Sequence, residues 1–138
     1  ALTEQQMEWK IFKPDKNDPS IPEGIEVIEH GYRAIGCKTP LLKLIGREPP
    51  PEYLVEYEWK VVLKNNTGSK KDIKVDYFLE LSNGTKQSLS LFELKTVGAG
   101  EKITYQCKSG SDIKFFKLVE SGQCFISIIP QEQKEDSD

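Results

Sequence analysis

Apolar and polar residues alternate along most of the chain between residues 24 and 130. In EYLVEYEWKVVLK the apolar side chains occupy every second position from Tyr53 to Leu63, and glutamates and lysines fill most positions between them. A period of two predicts an extended strand with one buried and one solvated face. The segment IKVDYFLEL repeats the pattern, with Ile73 to Leu81 forming the inward row and Phe78 standing out on the polar row.

Turn-forming residues separate these runs, in NNTGSKKD, SNGT, VGAGEK, SGSD and ESGQ. Asn83 and Gly84 supply the positive φ that a tight hairpin requires. Shorter runs occur in GIEVIEHGYRAIG, where Gly31 is expected to form a bulge, and in KQSLSLFEL, ITYQC, IKFFKLV and CFISII. About seven short strands at intervals of about 8–12 residues predict an all-β fold, an antiparallel immunoglobulin-like β-sandwich.

The sandwich is expected to span residues 24–130. Residues 1–23 form a leader, predicted to be irregular or to hold one edge strand or a short helix, because prolines interrupt it after an alternating stretch from Met7 to Ile11. Residues 131–138 are polar and acidic, and we expect a disordered tail.

Composition restricts the classes of function. Of the 138 residues, 37% are hydrophobic and 30% are charged, which is typical of one globular domain. The formal net charge is -3, which argues against a nucleic-acid partner, because phosphate binding requires a basic surface. We therefore expect a protein partner; the sequence leaves a homo-oligomer open.

Residues 53–108 resemble the FxLYD type of immunoglobulin-like domain from bacterial and archaeal envelope proteins. The resemblance rests on a strand running into KNNTG, a second strand in IKVDYFLELSNGTK, and the late segment VGAGEKITY. Where that family has a Phe-x-Leu-Tyr-Asp-like run, this chain has Tyr77-Phe78-Leu79-Glu80-Leu81. The resemblance implies a secreted or periplasmic module of the cell envelope, peripheral to or tethered near a membrane, that binds or assembles without catalysis.

The sequence contains few of the side chains that catalytic sites use, since His30 is the single histidine. A blue-copper site needs two histidines, and a catalytic zinc site often uses three. The sequence has no Gly-x-Ser-x-Gly motif, and GAGEK lacks the Gly-Lys-Ser/Thr of a phosphate loop. We predict a non-enzymatic chain without cofactor or metal.

Two alternatives remain at this stage. A small soft-metal or redox carrier would use His30, Met7 and the cysteines. A carbohydrate-binding sandwich would need coplanar exposed aromatic rings on one sheet face, for which Phe78, Tyr32 and Trp9 are the candidates.

The three cysteines allow one bridge. Cys107 and Cys124 fall in two late strands, and a disulfide between them would stabilise the fold by about 3 kcal/mol in the chain-entropy model. We expect this bridge, with Cys37 free. The alternative is three buried, reduced thiols that pack as small apolar side chains.

The candidate interaction surface consists of aromatic residues that fall off the buried pattern, because aromatic residues are enriched in contact areas. These are Phe78, Tyr32, Phe92 and Phe116. An edge strand that accepts a partner's strand is a second mode of contact. Asn65 and Asn83 each begin an Asn-x-Thr sequon and are candidate glycosylation sites, although both also fit ordinary turns.

Overall fold

The computed structural model consists mainly of strands over the residues that it describes, which are 4–15, 17–38, 54–89, 92–108 and 119–130. The elements in chain order are α1 (Glu4–Met7), β1 (Lys10–Phe12), β2 (Ile25–Lys38), β3 (Leu54–Asn65), β4 (Lys71–Leu81), β5 (Lys86–Ser88), β6 (Glu93–Val97), β7 (Lys102–Lys108) and β8 (Val119–Ile129). No helix within these ranges is long and apolar enough to cross a membrane. KQSLSLFEL, predicted as one strand, contains β5 and the first two residues of β6.

The strands form two four-stranded sheets. Sheet A has the order β1-β2-β3-β7. In sheet B the strand β4 is central, because it pairs with β8 along one edge and with both β5 and β6 along the other. The pairs in both sheets are antiparallel. The predicted all-β sandwich is confirmed.

The chain crosses between the sheets in the immunoglobulin-like manner. Strands β2, β3 and β7 are neighbours in sheet A, as strands A, B and E are in that fold, and β4 pairs with β8 as strand C pairs with strand F. The connections from β3 to β4 and from β7 to β8 each pass from one sheet to the other. The two sheets are therefore interlocked, and neither is a unit of consecutive strands.

The alternation of apolar residues produces the buried layer between the sheets, as predicted. Every second residue of β4 from Ile73 to Leu81 is buried, and so is every second residue of β3 from Tyr57 to Asn65. Trp59 of β3 and Tyr77 of β4 are fully buried and stack across the two sheets, with ring centroids 5.6 Å apart and planes within 6°. Aromatic pairs of this kind stabilise by about 0.5–1.5 kcal/mol beyond the burial of their area.

The first 23 residues contain both elements that the sequence left as alternatives, the helix α1 and the edge strand β1. Strand β1 pairs with β2 and places Phe12 opposite His30. The bulge predicted at Gly31 is wrong, because the register is continuous there. Instead, a Cβ at Gly31 would collide with the carbonyl oxygen of Lys10, so glycine allows β1 to lie close against β2.

The register of β2 shifts at two other places, between Val27 and Glu29 and between Ala34 and Gly36. The first shift changes which residues face the core. Val27 points inward before it, and His30 and Tyr32 point inward after it. One extra residue thus moves the buried row from odd to even numbers.

Asn65 joins three segments at one end of the sandwich. It is fully buried, and its amide nitrogen donates to the carbonyl oxygens of Ser69 and Val97, each at 3.0 Å. Its Oδ1 accepts from the backbone N–H and the hydroxyl of Thr67, at 3.0 and 2.6 Å. The end of β3, the turn that follows it and the end of β6 are therefore held by one side chain.

We expect Asn65→Ala to lower the free energy of unfolding by about 2–4 kcal/mol, because it removes four hydrogen bonds and leaves the buried carbonyl oxygen of Val97 without this donor. Asn83→Ala is the matched control. Asn83 makes the same two bonds to Thr85, at 3.0 and 2.7 Å, but it is exposed, and water replaces what is lost. Its cost should be below about 1 kcal/mol. Urea unfolding measures both, and equal losses would contradict this role of Asn65.

Candidate functional site: an apolar face on sheet B

The outer surface of sheet B carries two of the four residues proposed as an interaction surface. Phe78 lies half-buried on the outward row of β4, and Phe92, just before β6, is 50% exposed. The prediction that Tyr32 belongs to this surface is wrong, because Tyr32 is 7% exposed and lies in the core. The bulge after Val27 turns it inward. Phe116 lies outside the described residues.

Phe78 is joined on this surface by Phe125 of β8. Their ring centroids are 6.0 Å apart with planes at 77°, an edge-to-face contact. Phe125 is 46% exposed. Sequence reasoning missed it, although the alternation of the final run could have found it, since Ile126 is buried and Phe125 must then point outward.

A second apolar spot lies beside Lys74. Its Nζ lies 5.3 Å from the centroid of the Phe92 ring, a cation–π contact. Leu94 of β6, which is 49% exposed, is the cross-strand partner of Lys74. We name the set of Phe78, Phe92, Leu94 and Phe125 the apolar face.

Charged residues lie within and beside the apolar face. The outward row of β4 contains three carboxylates, Asp72, Asp76 and Glu80, and one ammonium group, that of Lys74. Asp72 accepts a hydrogen bond from the Thr96 hydroxyl at 2.6 Å, and Glu80 accepts one from Ser121 at 3.2 Å. Lys74 is the cross-strand partner of Leu94, and Asp76 is that of Phe125, so these two charged residues of β4 lie between the β6 side and the β8 side of the apolar face. Apolar side chains mixed with polar ones are also found in protein contact surfaces.

His30 lies inside the sandwich and is occupied by structural contacts. It is 6% exposed, its Nδ1 is 2.8 Å from the Tyr77 hydroxyl, and its ring stacks on Phe12 at 5.4 Å. Burial lowers the pKa of His30 to about 4, and burial likewise raises the pKa of Tyr77 far above its usual value. A Cβ at residue 122 would collide with the Tyr77 hydroxyl, so Gly122 provides the space in which Tyr77 meets His30.

The disulfide predicted between Cys107 and Cys124 is not supported, because both thiols are free. Cys107 pairs with Trp59 in sheet A and lies beside Glu93 of β6. Cys124 pairs with Tyr77 along the β8 edge of β4, opposite the edge that β6 occupies. The central strand of sheet B thus lies between the two cysteines. Burial raises the pKa of both thiols, that of Cys124 to about 12, so neither is an activated nucleophile.

The soft-metal alternative gains no support from the geometry. The described ranges contain no group of three or more His, Cys, Asp or Glu residues that could hold a metal ion. His30 contacts Tyr77 in the core, while Met7 is 46% exposed on α1. Cys37, the third cysteine, has its side chain outside the described part of the structure.

The carbohydrate-binding alternative required coplanar exposed rings, and its three candidates do not provide them. Tyr32 is buried. Trp9 already contacts two cations, since Arg33 Cζ and Lys60 Nζ lie 4.8 and 4.7 Å from the centroid of its ring. Phe78 has a near-perpendicular neighbour in Phe125, so the two rings do not form a flat platform.

Of the two sequons, the one at Asn65 is not accessible for glycosylation in the folded chain, because the amide nitrogen of Asn65 is buried and donates two hydrogen bonds. Asn83 is exposed, and its glycosylation stays a prediction. The Asn-x-Thr pattern has a structural reason at both places, since the threonine N–H and hydroxyl both donate to the asparagine Oδ1.

A pocket of about 220 Å³ lies away from the apolar face, at the end of the sandwich where β2 begins. Its lining residues are Asp15, Ile21, Ile25, Glu26, Val27 and Asn66. It is smaller than the roughly 300–1,000 Å³ of typical small-molecule sites. The apolar face therefore remains the strongest candidate for function.

Comparison with known proteins adds little to this picture. No family model matches the chain and no curated protein matches it, so the resemblance to FxLYD-type domains is not confirmed. The X-ray structure of a Northeast Structural Genomics Consortium target is similar over 78% of this chain and 83% of its own, with 14% identity and a TM-score of 0.44. A DUF1425 family member from Shewanella sp. pv-4 is similar over 88% and 95%, with 5% identity and a TM-score of 0.38. Neither likeness is strong enough to carry an argument.

Burial of the sole histidine predicts a loss of stability in mild acid. The folded-state pKa of His30, about 4, lies below its ordinary value of 6.5, so the unfolded chain takes up the proton first as the pH falls. The contribution of neutral His30 is complete above pH 6.5, declines between 6.5 and 4, and is constant below that. The loss approaches about 3 kcal/mol.

The measurement is the free energy of unfolding from pH 7.5 to 4.5 for the wild type and for His30→Gln, which does not titrate in this range. Carboxylates affect both proteins equally, so the difference isolates His30. Parallel pH profiles would contradict the assignment of a low pKa.

Proposed function

We propose that this chain is a non-enzymatic, extracytoplasmic binding or assembly module that contacts a protein partner through the apolar face of sheet B. The observation that carries the proposal is the exposure of Phe92, Leu94 and Phe125, each between 46% and 50%, on one side of a single sheet. Singly exposed apolar residues are normal on a protein surface, whereas several gathered on one side of a sheet indicate an interaction site.

Rigidity supports a binding role for this surface. Strand β4 lies between β8 on one side and β5 and β6 on the other, and its inward residues are fully buried up to Leu79. Phe78 therefore projects from a backbone with little freedom. A partner that binds such a surface orders few groups, and this lowers the entropic cost of association.

The chemistry of the partner follows from the charges around the face. Three carboxylates and one lysine share the outward row of β4. Lys86 of β5 is the cross-strand partner of Glu80, so this surface carries charges of both signs with carboxylates in the majority. A partner that presents apolar side chains together with basic residues would complement it better than an acidic partner. A carbohydrate would find no pair of coplanar rings in Phe78 and Phe125.

The non-enzymatic part of the proposal is supported by the state of the reactive groups. His30 is buried with a lowered pKa, and the Cys107 and Cys124 thiols have raised ones. Glu58 is engaged by Arg33 at 2.8 Å, so it does not form a free carboxylate pair with Glu56. The extracytoplasmic location rests on the resemblance to envelope domains.

The test is a cross-linking pull-down from the envelope fraction of the source organism with three baits, namely the wild type, Phe92→Asp and Thr104→Asp. Thr104 is the matched control, since it is exposed on the outer side of sheet A. We expect one protein to be recovered with the wild type and with Thr104→Asp and to be lost with Phe92→Asp. With that protein purified, Phe92→Asp should raise the dissociation constant at least about tenfold.

Unchanged thermal unfolding of Phe92→Asp would show that the loss is local, because Phe92 is half-exposed. Equal recovery with all three baits would mean that the apolar face is not the contact. Turnover of a peptide, ester or glycoside that is abolished by one side-chain deletion would overturn the non-enzymatic assignment.

A further inference from the structure

The edge of β8 that faces away from β4 differs from the edges of the other described strands. Among the described strands β8 pairs with β4 alone, in a ladder that runs from Val119 to Ile129. In an antiparallel ladder alternate residues direct their N–H and C=O groups to opposite sides, so about half of these groups in β8 point away from β4. Residues 121–129, SGQCFISII, contain neither a charged residue nor a proline.

The other outermost strands that the structure describes, β1, β5, β6 and β7, are protected against pairing with a copy of themselves. Strand β7 has Lys102 at one end and Lys108 at the other, and antiparallel self-pairing would bring these lysines together. Strand β6 is five residues long with Lys95 at its centre, which would meet its own copy. Strands β1 and β5 are three residues long, and each begins with a lysine. Short length and lysine are the usual means of keeping edges apart.

We propose that β8 pairs antiparallel with β8 of a second copy of this chain, in a two-fold symmetric dimer. A two-fold axis places identical strands opposite each other, so an edge pairs with itself only if it does not oppose like charges. The uncharged span 121–129 meets this condition over nine residues. None of the strands β1, β5, β6 and β7 offers an uncharged span of that length.

The centre of the uncharged span is Phe125. With the axis there, Phe125 lies opposite Phe125 of the other copy, at the spacing of about 4.5–5.5 Å that directly opposed residues have. Phe125 is 46% exposed and already contacts Phe78 edge to face. Pairing therefore joins two such contacts into a row of four phenylalanine rings on one side of a continuous sheet.

This inference does not depend on the proposed function. It concerns the edge of sheet B, whereas the partner contact concerns its outer surface, and Phe92 belongs to the surface alone. The two are separable by experiment because Phe92 precedes β6, on the side of β4 away from β8.

The test is sedimentation equilibrium of the full chain over a wide concentration range, for which we expect a reversible increase from 15.7 kDa to twice that mass. Phe125→Lys and Phe125→Glu should each weaken the dimer at least about tenfold, because like charges then meet on the axis. Mixing these two variants should restore association, since the introduced lysine faces the introduced glutamate only in a mixed dimer centred on this position. Phe92→Lys, a matched change on the same sheet, should dimerise like the wild type.

Several outcomes would overturn the proposal. The proposal fails if the wild type stays monomeric at every concentration. It fails in the same way if slow amide exchange on both sides of β8 shows that the chain's own residues cover this edge. A dimer that tolerates Phe125→Lys is another such outcome. If Phe92→Lys abolishes the dimer, the two copies are held together by the outer surface of sheet B and not by the edge of β8.

Discussion

The contact between Trp59 and Tyr77 is the interaction on which the rest of the structure depends. Each ring comes from a central strand, one from each sheet, and both are fully buried. Tyr77 also meets His30 through its hydroxyl, and it occupies the space left by Gly122 of β8. One side chain thereby contacts β2, β3 and β8, and a shift of β4 would disturb all three contacts. Because β3 and β4 are consecutive in the chain but lie in different sheets, this contact aligns the two sheets.

The apolar face is a consequence of the same alignment. Tyr77 and Phe78 are adjacent, so when Tyr77 enters the core its neighbour must leave it. A slip of one residue would exchange the two and expose the whole buried row of β4. The cost of exposing that row is far larger than the gain from hiding Phe78, so the core determines what the outer surface displays. The core therefore forces Phe78 to point outward. No such constraint applies to Phe92 and Leu94, which lie just before β6 and within it.

The degree to which the fold and the candidate site could be predicted differs from residue to residue for physical reasons. The inward rows of β3 and β4 follow from a period of two within one segment, and so does the outward position of Phe78. Tyr32 was misplaced because one inserted residue after Val27 reverses the faces of β2, and a bulge leaves no clear mark in a single sequence. Phe125 was missed although the alternation of β8 indicates it.

By itself, the amino-acid sequence determined what depends on near neighbours: strands of alternating character, the Asn-x-Thr turns that close on their own oxygen, and the absence of a second histidine. Only the tertiary structure decided what depends on distant residues. It separated Cys107 from Cys124 by placing them on opposite sides of β4, it buried the side chain of Asn65, and among the described strands it paired β8 with β4 alone. Alternation specifies which way a side chain points but not which strand lies beside it, because pairing is a choice among all strands, made by the fit of the whole core.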